Sequence, residues 1–179
     1  MSIDQTLRQS LVVAPGEGDR LEFLNHLATI KFAAGSSGSM SVVEFNAPRG
    51  FGPPEHSHKH EDELFVVLDG ELEFRTTGIQ ITGGPGTLAL LPRAEPHTFQ
   101  VLSATARFVN VTASNTMSPR FDEMVAALGS PTDRTTLPEP AYIDPARVAE
   151  VCAAHDIEIV GPPPPPLAAE EQRSNQTRA

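Results

Sequence analysis

Three of the chain's six histidines stand together as His56-Ser57-His58-Lys59-His60, with Glu63 just beyond and His97 further on. Residues i and i+2 of an extended strand share a face, so His56 and His58 can aim at one point. Glu63 follows His58 at an odd spacing, and it reaches that point only if the chain turns or bulges between Lys59 and Asp62. Phe65 and Val67 then share its face and would floor the site. His97 follows Pro92-Arg93-Ala94-Glu95-Pro96, a turn-forming run that delivers it to the start of another strand. Three neutral imidazoles and one carboxylate make a mixed nitrogen and oxygen donor set. It suits one divalent transition metal (Fe, Ni, Mn, Co, Cu or Zn) better than Ca or Mg, which take oxygen shells. Four protein ligands on a metal that accepts five or six leave positions for water, dioxygen or a chelating small molecule. A bare His-x-His pair is equally compatible with two exposed histidines on a surface strand, so the weight rests on what surrounds it.

The elements that must hold these residues read as short strands between turn residues, from Leu11 to Thr112. Leu21 to Phe32 alternates loosely, with Phe23, His26, Ala28 and Ile30 among polar neighbours. Met40 to Phe45, Glu63 to Leu68, Glu71 to Thr76, Ile79 to Thr82, Thr87 to Leu91, His97 to Leu102 and Ala106 to Thr112 follow as strands. Asp69-Gly70 suits a two-residue hairpin turn joining two of them. Strands this short and this evenly spaced imply an all-β sandwich or closed barrel. The last third changes character. Ser118 to Leu128 carries a helical spacing of apolar residues with Gly129 as its stop. Asp144-Pro145 reads as an N-cap and first-turn pair opening a helix through Ala154, and Asp156 to Val160 reads as extended. Pro162 to Pro166 imposes polyproline II geometry, read as a stiff spacer into a polar, disordered tail, Glu170 to Ala179.

With these spacings laid out, the chain resembles a cupin. That family's first motif, G-x5-H-x-H-x4-E-x6-G, is met by Gly50, His56, His58, Glu63 and Gly70 without gap or substitution. Its second, G-x5-P-x-G-x2-H-x3-N, is met by Gly86, Pro92 and His97, with Ala94 in place of the motif glycine and Val101 in place of the asparagine. The resemblance covers Phe32 to Thr112. It implies a double-stranded β-helix, the jelly-roll cupin barrel, often dimeric, with His56, His58, Glu63 and His97 as metal ligands. The domain plan that follows is an N-terminal arm over 1–20, a cupin barrel over 21–115, a helical extension over 116–160 and a Pro-rich tail over 161–179. The helices after the barrel are similar to those of single-barrel quercetin dioxygenase-like cupins. In such proteins the ligand glutamate also takes the substrate's hydroxyl proton, a role that would fall to Glu63. A metal-dependent dioxygenase acting on a small, flavonol- or diketone-like substrate is the reading this implies. A non-oxidative cupin, either a small-molecule sensing module or an isomerase, stays open beside it, because one barrel hosts many functions.

Composition narrows the partners. A formal charge of −10 repels nucleic acid phosphates and anionic lipids, and no basic cluster interrupts it, so neither nucleic acid nor membrane is an expected partner. A small-molecule ligand and a second copy of the chain are. The single cysteine, Cys152, lies in a helix-like stretch and reads as a small buried hydrophobe. Cysteine-poor composition and the absence of a signal-like apolar run near Met1 to Val12 suggest the cytoplasm. His60 reads as an exposed turn residue, Arg49 and Arg93 as surface charges at the barrel mouth, and His26 as a core histidine that could enter the cavity. Phe51, Phe65, Phe74, Phe99 and Phe108 read as core, one or two of them bordering an apolar pocket.

Overall fold

Valine, isoleucine, phenylalanine and threonine at alternate positions favour pleated, half-buried backbone, and the chain follows that pattern. The computed structural model describes residues 11–167. The start of the N-terminal arm and the Glu170–Ala179 tail lie outside the described residues. The first sheet gathers β1 (Asp19–Phe23), β2 (His26–Phe32), β3 (Met40–Pro48), β5 (Asp62–Asp69), β8 (Leu88–Leu91), β10 (Thr105–Ala113) and the short β11 (Ser130–Pro131), in the order β11-β1-β2-β3-β10-β5-β8. The second gathers β4 (His56–His58), β6 (Leu72–Thr76), β7 (Ile79–Gly83), β9 (His97–Val101) and β12 (Ile157–Ile159), in the order β12-β4-β9-β6-β7. A short α1 (Ala34–Ser37) precedes β3. After the barrel come α2 (Phe121–Leu128) and α3 (Pro145–Ala154). Two facing antiparallel sheets with a helical extension make this an all-β jelly roll.

Two local expectations need correction. The stretch from Leu21 to Phe32 is a hairpin and not one strand, because Leu24 and Asn25 both take positive φ, 48° and 65°. That is the type I′ pattern, which leucine rarely adopts. Asp69-Gly70 does not close a hairpin between β5 and β6. Those strands belong to different sheets, and the chain crosses the barrel there. Gly70 is required at φ 78° because a Cβ would collide with Thr105 and Ser103. The tight hairpin lies one strand later, where Thr76 faces Ile79 across Thr77-Gly78.

The interior between the sheets is aromatic. Phe65 lies 5.1 Å from Phe99 and 5.4 Å from Phe74, and Phe99 lies 5.2 Å from Phe108, in edge-to-face arrangements that ring quadrupoles favour. On β10 every second residue points inward: Ala106, Phe108, Asn110 and Thr112 are buried. All five residues of β9 are buried. Its outer face is covered by the chain on either side: Thr98 donates to Pro53 O (2.7 Å) and Gln100 Nε2 to Pro165 O (2.9 Å). The proline run is thus laid along the barrel. Pro162 O also accepts from Glu55 N (3.1 Å), and Gly52 leaves room for Pro164 that any side chain would fill. In the extension, Asp144 caps α3 through Ala146 N (3.0 Å), with Pro145 in the first turn. The helices bury Phe121, Met124, Val125, Val148, Val151 and Cys152. Among the described residues no helix is long and apolar enough to cross a membrane.

The turn that delivers β9 carries Ala94 at φ 62°, with Glu95 N–H on Pro92 O (3.3 Å) and Ala94 N–H on His58 O (2.8 Å). A type II turn needs positive φ at this third position, where a Cβ costs roughly 1–2 kcal/mol. Ala94→Gly removes that cost and adds back about 0.5–1 kcal/mol of unfolded-chain entropy. The expected net gain is about 0.5–1 kcal/mol, seen as a higher urea midpoint at unchanged slope. A midpoint equal to or below that of the parent would show the turn to be unstrained.

His26 supplies a pH dependence. The ring is 1% exposed, and burial pushes its pKa from 6.5 down to about 4, against the raising effect of its bond to Leu24 O. Between those values the unfolded chain binds a proton that the folded chain refuses. The contribution is therefore whole above pH 6.5 and lost as pH falls toward 4, about 3 kcal/mol in all. Urea unfolding at pH 7 and pH 4.5 is expected to show a decline about 2–3 kcal/mol larger in the parent than in His26→Phe. Equal declines would sink this assignment.

Candidate metal centre

His56 and His58 alternate inward from β4, and His97 opens β9 directly opposite His56. Glu63 comes from the other sheet. The bend over 59–61 carries the chain from β4 to β5 between sheets, which resolves the odd spacing: the carboxylate faces the histidines from across the lumen. One donor atom from each of the four residues falls within a group spanning no more than 4.8 Å. Bonds of about 2.0–2.2 Å to nitrogen and oxygen span about 4 Å across one ion, so the cluster has the right size to hold one.

Each imidazole is fixed by its other nitrogen. His56 Nδ1–H donates to Pro54 O (2.9 Å) and His97 Nδ1–H to Glu95 O (2.8 Å). Carbonyl oxygens only accept, so both rings present Nε2 lone pairs to the centre. His58 Nδ1 meets the Glu61 carboxylate at 3.3 Å. Glu61 is itself 5% exposed, and its second oxygen accepts from the backbone N–H of Arg120 just before α2. His58 Nε2, His97 Nε2 and Glu63 Oε2 are buried with no hydrogen-bond partner. Buried polar atoms left unpaired are rare, and three of them converging from two imidazoles and a carboxylate fit a cation. The Glu63 Oε1 atom is held by the Asn110 side-chain amide.

The electrostatics agree. Burial acts to raise the Glu63 pKa, but the charges of His58, His97 and His56 outweigh it and bring the carboxyl to about 2. Burial acts to lower the His97 pKa, yet the adjacent Glu63, 3.0 Å away, raises it. His56 is pushed down to about 3 by burial, with His58 and His97 adding to the effect. Imidazole nitrogens and carboxylates bind a cation in their deprotonated forms, so metal binding here competes with protons.

A cavity of about 620 Å³ borders the cluster, lined by His56, Glu63 and Asn110 together with Phe51, Phe65, Phe99 and Phe108. The size suits a drug-sized ligand. Its remaining wall comes from the helical extension and β12, through Met124, Ile143, Val148, Cys152 and Ile157. The two arginines read as surface charges at the barrel mouth are held by the protein itself. Arg93 forks onto Asp62 (Nη2 to Oδ2, 2.6 Å) and reaches Asn115 (3.0 Å), and Arg49 binds Leu102 O. His60 stands outside the cluster. Glu61 and Asn110 were not among the candidates read from sequence. The signal for Asn110 is its place in the inward register of β10, between Phe108 and Thr112; Glu61 offered only its closeness to His58.

Comparison with known proteins places the fold. A family model for the cupin domain matches residues 43–112. Quercetin 2,3-dioxygenase of Bacillus subtilis (strain 168) is 31% identical over 145 residues, an alignment covering 79% of this chain and 42% of that enzyme. The chain thus spans less than half the length of this curated relative. Among solved structures, KdgF from a Halomonas species superposes with a TM-score of 0.54 at 17% identity, covering 60% of this chain and 96% of that one. A predicted oxalate decarboxylase from Thermotoga maritima gives 0.53 at 18%, covering 58% and 99%. At such identities the two structures speak for the fold alone. The shared barrel, the matched domain and the enzyme relative converge on one family: the chain carries a cupin barrel and resembles the quercetin dioxygenase-like cupins.

Proposed function

We propose that this cupin is a metal-dependent dioxygenase acting on a small, ring-bearing substrate that chelates the ion held by His56, His58, Glu63 and His97. The observation that carries the reading is the state of Glu63. One oxygen is fixed by Asn110, the other is buried 3.0 Å from His97 Nε2, and the residue borders an apolar cavity. The bound ion would supply a redox-capable Lewis acid with coordination positions beyond the four protein ligands. The chain's own residues do the rest. The apolar walls exclude water and seat the rings of the substrate. Oε2 of Glu63 accepts the proton of the substrate hydroxyl, leaving the electron pair on the substrate oxygen. Asn110 keeps the carboxylate oriented for that transfer.

Loading the protein separately with Fe, Ni, Mn and Co and measuring oxygen uptake with flavonols, catechols and diketones tests this. Uptake with at least one pair is expected, falling about 100-fold or more in Glu63→Gln. Tight ligand binding with no uptake in any combination would overturn the oxygenase and favour a binding module. Proton exchange at a substrate carbon without oxygen consumption would favour an isomerase.

We also infer a homodimer through the outward face of the first sheet. Val111, Leu64 and Leu90 lie side by side across β10, β5 and β8, as do Val109, Val66 and Leu88. Leu88 and Leu90 are 65% and 64% exposed on the edge strand. A strip repeated on each copy is self-complementary about a two-fold axis. Sedimentation is expected to show a dimer for the parent and a monomer for the double variant Leu88→Glu, Leu90→Glu. A monomeric parent would refute it.

A further inference from the structure

Away from the metal cluster, the cavity is bordered by one buried titratable ring that the chemistry above does not use. His26 lines the cavity and is 1% exposed. Its orientation is over-determined. The ring centroid lies 4.0 Å from that of Phe51, 5.1 Å from Phe23 and 5.4 Å from Phe45. Its Nδ1–H is committed to Leu24 O at 3.0 Å, a bond made available by the left-handed turn at Leu24-Asn25. No carboxylate pairs with it among the described residues, and burial keeps the ring neutral at ordinary pH. A neutral ring protonated at Nδ1 carries a lone pair on Nε2. The hydrogen bond the ring makes to the chain runs through Nδ1.

An acceptor in an apolar cavity is poorly satisfied until something donates to it. The placement also sets a length. β2 stands three strands from β5 in the first sheet, about 14 Å along the sheet at roughly 4.8 Å per strand and less across the lumen. Two or three linked rings cover that reach.

We propose that His26 is a specificity-determining residue: its Nε2 accepts a hydrogen bond from a hydroxyl or N–H at the far end of an elongated aromatic ligand whose other end lies against His56 and Glu63. This deepens the dioxygenase reading, which it uses only to orient the ligand. A site built to pair a substrate donor discriminates strongly against the analogue that lacks it, so the selected class is multi-ring compounds carrying a donor remote from the chelating group.

The test uses the full-length chain without added metal, so its outcome is independent of the oxygen-uptake assay. Affinities for 4-phenylphenol and for biphenyl are measured by calorimetry in the parent and in His26→Phe. The ratio of the two affinities is expected to be about tenfold higher in the parent, the worth of one hydrogen bond. Biphenyl affinity is expected to be retained in the variant, which reports an intact cavity. In the parent, the 15N resonance of His26 Nε2 is expected to shift with 4-phenylphenol and stay put with biphenyl. Equal affinity ratios in the two proteins would overturn the proposal. So would an Nε2 resonance indifferent to the phenol, a result readable in the parent even if the variant does not fold.

Discussion

The structure turns on one buried carboxylate. Taking an ionised Glu63 out of water costs several kcal/mol unless nearby charge and hydrogen bonds compensate. The compensation comes from two directions: Asn110 from a neighbouring strand of its own sheet, and three imidazoles from the facing sheet. No single sheet could supply this, because side chains on one face diverge where those of two facing sheets converge. The bend over 59–61, which moves the chain from one sheet to the other within a few residues, is therefore the topological condition for the site. The convergence of the three imidazoles on Glu63 follows from it, as does the depressed carboxyl pKa.

Much of this was legible in the sequence, and what was legible had a physical cause. The spacing of His56, His58 and Glu63 is short-range, so a strand and a bend fix it. The strands of the barrel announce themselves because inward and outward residues alternate, as on β3 and β10. What could not be read depends on contacts distant along the chain. Glu61 is another acidic residue in a charged bend until the N–H of Arg120, which comes from the extension, meets its second oxygen. Leu24 gave no turn signal because its positive φ is imposed by the pairing of β1 with β2 and not by its own preference. Asp69-Gly70 misled for the converse reason. Its local chemistry suits a hairpin, but the need to pass close to Thr105 and Ser103 uses the glycine for a crossing.

The extension after the barrel is part of the site and not an appendage. β12 pairs with β4, the strand of His56 and His58, so the edge of that strand is covered and its backbone groups are satisfied. The helices supply one wall of the cavity, and Glu61 ties the start of α2 to His58. The proline run continues the same logic. With most N–H groups removed it adds little to a ladder, yet its carbonyls accept from Glu55 and Gln100, and its stiffness lowers the entropy lost in lying along the barrel.

The chemistry of the cavity walls bears on selectivity as much as on shelter. An apolar surround strengthens any charge interaction at the cluster end and gives a ligand few places to satisfy polar groups elsewhere. A compound rich in hydroxyls would leave most of them unpaired against phenylalanine, methionine and isoleucine, each a desolvation loss of about 1–3 kcal/mol. A purely apolar compound would have nothing to offer the cluster. Under the function proposed above, the walls suit molecules whose polar atoms are few and placed: oxygens beside Glu63, rings along Phe65, Phe99 and Phe108, and a single donor for His26 in its aromatic cage.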